Sequence, residues 1–148
     1  PSATSQASDL SAALDGICRI YKRRALLFVL SDFLTPPFEG ALKRAARRHD
    51  LSCFRFYDRR EEELPDIGRL RLRDLESGQT LLVDTGSKGF VDEYRRRRLQ
   101  AHADLKKLCD NAQVDYAQFS TMDDPVPNLS KFFNSKLKRK RRLRRAPA

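Results

Sequence analysis

Residues 25–32 read Ala25-Leu26-Leu27-Phe28-Val29-Leu30-Ser31-Asp32, and residues 51–57 read Leu51-Ser52-Cys53-Phe54-Arg55-Phe56-Tyr57. The first stretch is apolar at every position up to Leu30. It is expected to be a strand buried on both faces, as in a parallel sheet covered by helices. Pro36-Pro37 suits the start of a helix. Phe38, Leu42, Ala45 and Ala46 would form that helix's inner stripe, with Lys43, Arg44, Arg47 and Arg48 outside. Leu51 to Tyr57 is a second strand. A strand, a helix and a strand within about thirty residues make a βαβ unit and an α/β fold.

Upstream, residues 1–7 read as loop, and Ser8 or Asp9 can cap a helix. Leu10, Ala13, Leu14, Ile17 and Tyr21 keep helical spacing to about Lys22. Lys22, Arg23 and Arg24 stand where a helix dipole favours cations. Downstream, Asp58 to Pro65 reads as a charged connector. Leu70 and Leu72 alternate with Arg69, Arg71 and Arg73, the period of a half-exposed strand. Glu76-Ser77-Gly78 is turn chemistry, and Thr80 to Val83 returns, so 68–84 reads as a β-hairpin added to the α/β body. Ser87 precedes a long helix, about 88–112, with Phe90, Tyr94, Ala101, Leu105, Leu108, Cys109 and Ala112 facing inward. Val114 to Ser120 is a third core strand. Pro125 and Pro127 break the chain before a last helix, whose apolar stripe is Leu129, Phe132, Phe133 and Leu137.

The 148 residues suffice for one domain with a core. The net charge of +10 is carried by the end of the chain. From Lys131 to Ala148 there are nine basic residues and no acidic ones, which leaves 21 basic against 20 acidic groups in residues 1–130. The body is therefore nearly neutral, unlike a domain built throughout to coat nucleic acid. No apolar run approaches a membrane span. Three cysteines, at 18, 53 and 109, with no Cys-x-x-Cys pair, argue against a disulfide scaffold or structural zinc. They fit buried thiols in a reducing, cytoplasmic setting. The first residue is Pro1 rather than Met, so the chain is expected to be a piece of a longer protein.

Asp32 is the sharpest candidate site residue. It ends a buried strand, where open α/β sheets place ligands, and a carboxylate beside the Ser31 hydroxyl suits a hard cation such as Mg²⁺. The competing account is that Asp32 accepts backbone N–H groups of its own turn, as most strand-end aspartates do. Ser8-Asp9-Leu10 opening a helix, the strand end Leu30-Ser31-Asp32-Phe33-Leu34, and the string Tyr57-Asp58-Arg59-Arg60-Glu61-Glu62-Glu63-Leu64-Pro65-Asp66 resemble a bacterial von Willebrand factor A-like family. It is the one numbered fifty-eight among domains of unknown function. The hairpin from Arg69 to Thr85 and the strand end Ser120-Thr121 are similar too.

The resemblance implies a doubly wound, mostly parallel sheet with helices on both faces. It also implies that residues 1–130 are the C-terminal part of such a domain and 131–148 a basic C-terminal helix or tail. In von Willebrand A domains an adhesion site for Mg²⁺ is built from an Asp-x-Ser-x-Ser loop, a Thr and an Asp. The resemblance puts Ser8 at the Thr position and Asp32 at the Asp position. No Asp-x-Ser-x-Ser occurs in the 148 residues, so a Mg²⁺ site is expected only with such a loop upstream. Family members are usually encoded beside MoxR-type AAA+ ATPases, and many carry membrane-spanning helices upstream. The implied role is a protein-binding module in a chaperone-like or complex-maturation system, cytoplasmic and membrane-associated in the full-length protein.

The second constellation is the tail. Lys136, Lys138, Arg139, Lys140, Arg141, Arg142, Arg144 and Arg145 fill eight of ten positions. After Phe132 and Phe133, such a run suits an anionic membrane surface. Nucleic acid is a lesser candidate, since no aromatics interleave the charges. The plain alternative is a solvated terminus. Arg95 to Arg98 point all round a helix and read as a solvated face, as does the triplet Glu61-Glu62-Glu63. Enzyme chemistry finds no footing. His49 and His102 lie in or at the ends of helical patterns, no nucleophile motif occurs, and no phosphate loop is present.

Overall fold

The structure is a computed structural model and describes residues 9–62, 68–73 and 80–145. The elements are α1 (Leu10–Ile20), β1 (Leu26–Ser31), α2 (Glu39–Arg48), β2 (Asp50–Tyr57), α3 (Arg59–Glu62), β3 (Arg69–Arg73), β4 (Thr80–Asp84), α4 (Lys88–Asn111), β5 (Asp115–Ser120) and α5 (Pro125–Arg145). β1, β2 and β5 form a parallel sheet in the order β1-β2-β5, and β3 and β4 form a separate antiparallel pair. The fold is α/β with an added hairpin, and β1-α2-β2 is the expected βαβ unit.

Side-chain alternation along the strands sorts the sheet into two faces. One face carries Leu27, Val29, Leu51 and Cys53. It packs against Leu14 of α1, Leu42 and Ala45 of α2, and Leu105 and Cys109 of α4. The other face carries Phe28, Phe54 and Phe119 and is covered by α5. Phe132 meets Phe54 edge-on with ring centroids 4.8 Å apart, and Phe133 meets Phe28 at 5.9 Å. Aromatic pairs prefer this geometry.

Local chemistry sets the boundaries. Asp9 caps α1, its carboxylate accepting from the Ala12 N–H at 2.9 Å. At the start of α5, Asp124 accepts from the Val126 N–H at 3.0 Å, and Pro125 sits where a helix tolerates a missing donor. The two prolines thus open α5 rather than stand before it. The hairpin closes at its base, where both the N–H and the hydroxyl of buried Thr85 donate to the Gly68 carbonyl (2.8 and 2.7 Å). Gly68 has φ +76°, a left-handed conformation that glycine adopts without a Cβ clash. The expected turn at residues 76–78 lies outside the described residues.

Four further expectations are corrected. β1 is not buried on both faces: Leu26, Phe28 and Leu30 are 53, 38 and 61 % exposed. It is the edge strand of the described sheet, and α5 reaches only part of its outer face. Ala101 is exposed rather than inward. At 24 residues α4 spans about 36 Å, whereas the six-residue β5 spans about 20 Å, so only the C-terminal part of α4 meets the core. The connector after β2 begins as a helical turn, α3, started by Asp58 accepting from the Arg60 N–H. Cys18 is half-buried, unlike the fully buried Cys53 and Cys109. Among the described residues no helix is long and apolar enough to cross a membrane.

Candidate functional site

The carboxyl ends of parallel strands are where such sheets leave room for ligands. Here that end carries the turn after β1. Asp32 is exposed there, and its Oδ1 accepts from the Leu34 N–H at 3.0 Å. Ser31 Oγ accepts from the Phe33 N–H at 3.0 Å. Phe33 takes φ +60°, a left-handed conformation that costs a side-chain-bearing residue of order 1 kcal/mol. Its ring stacks on Phe38 at 5.8 Å, which holds the turn in that shape. The Ser11 hydroxyl donates to the Pro37 carbonyl at 3.3 Å and brings the N-terminal turn of α1 beside this loop. The turn-capping role of Asp32 is therefore present, and its carboxylate also faces solvent at the expected place.

Ser8 lies outside the described residues, which begin at Asp9. Asp32 and Ser31 supply too few oxygens for Mg²⁺, which takes near-octahedral coordination. Among the described residues no group of three or more His, Cys, Asp or Glu side chains is placed to hold a metal ion. The described residues alone do not fit a complete cation site.

Opposite, at the amino ends of the strands, the tail behaves differently from the expectation of a free cationic run. Lys136 is buried. Its Nζ lies 2.8 Å from Asp50 Oδ1, 3.0 Å from Asp115 Oδ2 and 2.9 Å from Ser52 Oγ. Arg139 pairs with the other oxygen of Asp115. Asp50 and Asp115 open β2 and β5, so two strand-start carboxylates form a socket for the lysine. A buried carboxylate and ammonium hold together because each satisfies the other. Lys136 is thus a core residue and not a contact for an outside surface, and Arg139 is half engaged. Lys138 is exposed. The helix continues through Lys140, Arg141, Arg142, Arg144 and Arg145, whose side chains lie outside the description. An open pocket of about 460 Å³ adjoins the socket, lined in part by Arg24, Asp110 and Arg139.

In the arginine run of α4, Arg95, Arg96 and Arg97 are exposed, with Arg96 and Arg97 both paired to Glu93, whereas Arg98 is half-buried and donates to the Tyr94 hydroxyl at 3.1 Å. The Arg96 and Arg97 guanidinium groups hold the Glu93 carboxyl below the usual range, chiefly through the Arg97 hydrogen bond. Arg59 of α3 binds Asp123 at 2.8 Å and ties the connector to the loop after β5. Side chains of Glu61 and Glu62, and all of Glu63, fall outside the description. In the core, the hydrogen bond to Cys109 together with burial pushes the Cys53 thiol up and keeps it protonated. His49 is buried, and its Nδ1 accepts from the Ala25 N–H at 3.2 Å, a structural task at the entry to β1.

Sequence reading missed the socket for Lys136. Its signal was available: Asp50 and Asp115 each stand one residue before or at the start of an apolar strand, where a lone carboxylate needs a partner.

Residues 1–104 match the family model described as "Protein of unknown function DUF58". An uncharacterized protein of Mycobacterium avium, MAV169, is 28% identical over 129 residues, covering 86% of this chain and 76% of its own length. Uncharacterized proteins of Mycobacterium bovis (Mb1516) and Mycobacterium tuberculosis (Rv1480) are 28% identical over 131 residues. The chain spans only 40% of the length of these two longer relatives. No solved structure matches the chain.

Proposed function

The chain belongs to the DUF58 family of proteins of unknown function, and from that premise we propose that it is a non-enzymatic protein-binding module of von Willebrand A type. It would work with a MoxR-type AAA+ ATPase in a chaperone-like or complex-maturation role. The observation that supports this reading most is the placement of Asp32: an exposed carboxylate on a shaped turn, at the carboxyl end of a parallel strand, beside the start of α1. A doubly wound sheet would be completed by strands outside this chain. Mg²⁺ dependence belongs to the proposal only if an Asp-x-Ser-x-Ser loop from elsewhere in the protein joins Asp32 and Ser8.

The test is capture of a purified MoxR-type ATPase by the full-length protein, with Mg²⁺ and with a chelator. Asp32→Ala is expected to weaken capture at least tenfold while the circular dichroism spectrum stays unchanged. Equal capture by the variant would remove Asp32 from the interface. Loss of capture on chelation is expected only where the upstream loop exists.

A second reading is binding to an anionic membrane surface through the tail. It is favoured by the continuation of α5 to Arg145, beyond the ion pair of Arg139 with Asp115. Because Lys136 and Arg139 are held by the body, this reading rests on Lys138 and the run 140–145. Removing residues 140–148 is expected to abolish salt-sensitive sedimentation with phosphatidylserine vesicles; retention after removal excludes it.

A further inference from the structure

The C-terminal turns of α1 and α2 lie side by side at the amino end of the sheet, and a cleft opens between them. Two adjoining hollows of about 430 and 420 Å³ share Asp15, Cys18, Arg44 and Arg48 as lining residues. Arg19 and Lys22 of the α1 end and Arg47 of α2 complete the wall. Five cations thus surround one carboxylate. Asp15 is already taken: Arg44 grips it through Nε at 3.0 Å and Nη2 at 2.8 Å. Arg48 is fixed from the other side, its Nη1 donating to the Cys18 carbonyl at 2.7 Å. Two guanidinium groups are therefore held in place at the cleft, while Arg19, Lys22 and Arg47 reach it exposed to solvent.

Cations at helix C-termini complement the helix dipole, and that accounts for one or two of them at each end. It does not account for their convergence from two helices on a shared hollow, where like charges repel unless an anion lies between them. Prefixed guanidinium groups are the usual means of reading phosphate oxygens, and a mobile lysine adds a point charge. The hollow is larger than one phosphate needs, and its charges come from two sides.

We propose that the cleft between the C-terminal turns of α1 and α2 binds a diphosphate or bisphosphate group, free or carried on a nucleotide, a sugar or a lipid head. Arg44 and Arg48 line both hollows and present fixed donors, while Arg47 edges one hollow and Lys22 the other, so each reaches one end of a two-phosphate group. This site is independent of Asp32, which lies at the other end of the sheet, so either can fail without the other.

The experiment is titration of the chain with sodium pyrophosphate at low ionic strength, followed by calorimetry. Saturable binding is expected, tighter than for orthophosphate. Lys22→Gln and Arg47→Gln, neither of which breaks an internal ion pair seen here, are each expected to weaken it about tenfold, with an unchanged circular dichroism spectrum. Lys138→Gln serves as a charge-matched control outside the cleft and is expected to change affinity less than twofold. Absence of saturable binding overturns the proposal, as does equal weakening by all three variants, which would mean a diffuse charge effect. Sedimentation with phosphatidylcholine vesicles containing phosphatidylinositol bisphosphate, lost in Lys22→Gln, assigns the group to a lipid head. Pyrophosphate binding without sedimentation assigns it to a soluble ester.

Discussion

At Lys136 an ammonium group is enclosed by Asp50, Asp115 and Ser52. Replacing it with methionine keeps the volume and removes the charge, so Asp50 and Asp115 lose the ammonium between them, while Asp115 keeps Arg139. The expected loss of stability is about 3 kcal/mol, read from the urea midpoint, and adding Asp115→Asn should recover part of it. Tyr116 provides a pH handle. Burial pushes its phenol up to about 12, from an ordinary value near 10. The folded state then favours the neutral phenol, so its contribution is intact below about pH 10 and is lost as pH rises towards 12. Tyr116→Phe should flatten that part of the alkaline unfolding profile. At this scale the sequence was partly legible. Asp32 could be placed because a strand end is a sequence feature. For Lys136 only half the signal was there: Asp50 and Asp115 mark a need for a cation at the strand starts, but which cation fills it depends on how far along the sheet α5 travels.

Helices and strands show the same division between local pattern and register. The β1, β2 and β5 segments were readable from apolar runs, and α2 from its spacing. The exposure of β1 was not, because an apolar run does not say whether its second face has a cover. Nor was the overshoot of α4, whose heptad-like pattern continues regardless of where the sheet stops. The end of α4 offers a clean test. Gln113 follows it with φ +56°, a conformation that suits glycine at a helix end. Gln113→Gly should raise stability by up to about 1 kcal/mol, less what its side-chain bond to the Asp110 carbonyl contributes. On the opposite face, Phe54 touches Phe28, Phe119 and Phe132. Phe54→Ala is expected to cost about 3–5 kcal/mol and to loosen α5, measurable as faster amide exchange in 129–137.

Across the whole molecule, charge and apolar surface are distributed unevenly. The amino end of the sheet gathers the α1–α2 cleft, Arg24 and the end of α5, while the carboxyl end holds the Asp32 turn and the Arg59–Asp123 pair. The outer face of β1 leaves Leu26 and Leu30 largely exposed on either side of Phe28, which Phe133 covers in part. An edge strand with an apolar flank invites pairing. The isolated chain should self-associate as concentration rises in sedimentation velocity runs, and Leu26→Lys with Leu30→Lys should return it to monomer. The docking of α5 also has a mechanical side. The helix crosses from mid-sheet at Phe132 to the strand starts at Lys136 and Arg139. Tension on the C-terminus would run down α5 to the three ion pairs that Lys136 and Arg139 make with Asp50 and Asp115, loading them nearly along the strands, in shear. A pull at that end would thus be borne by the sheet before the helix could peel away, making the tail a point by which the domain can be held under load.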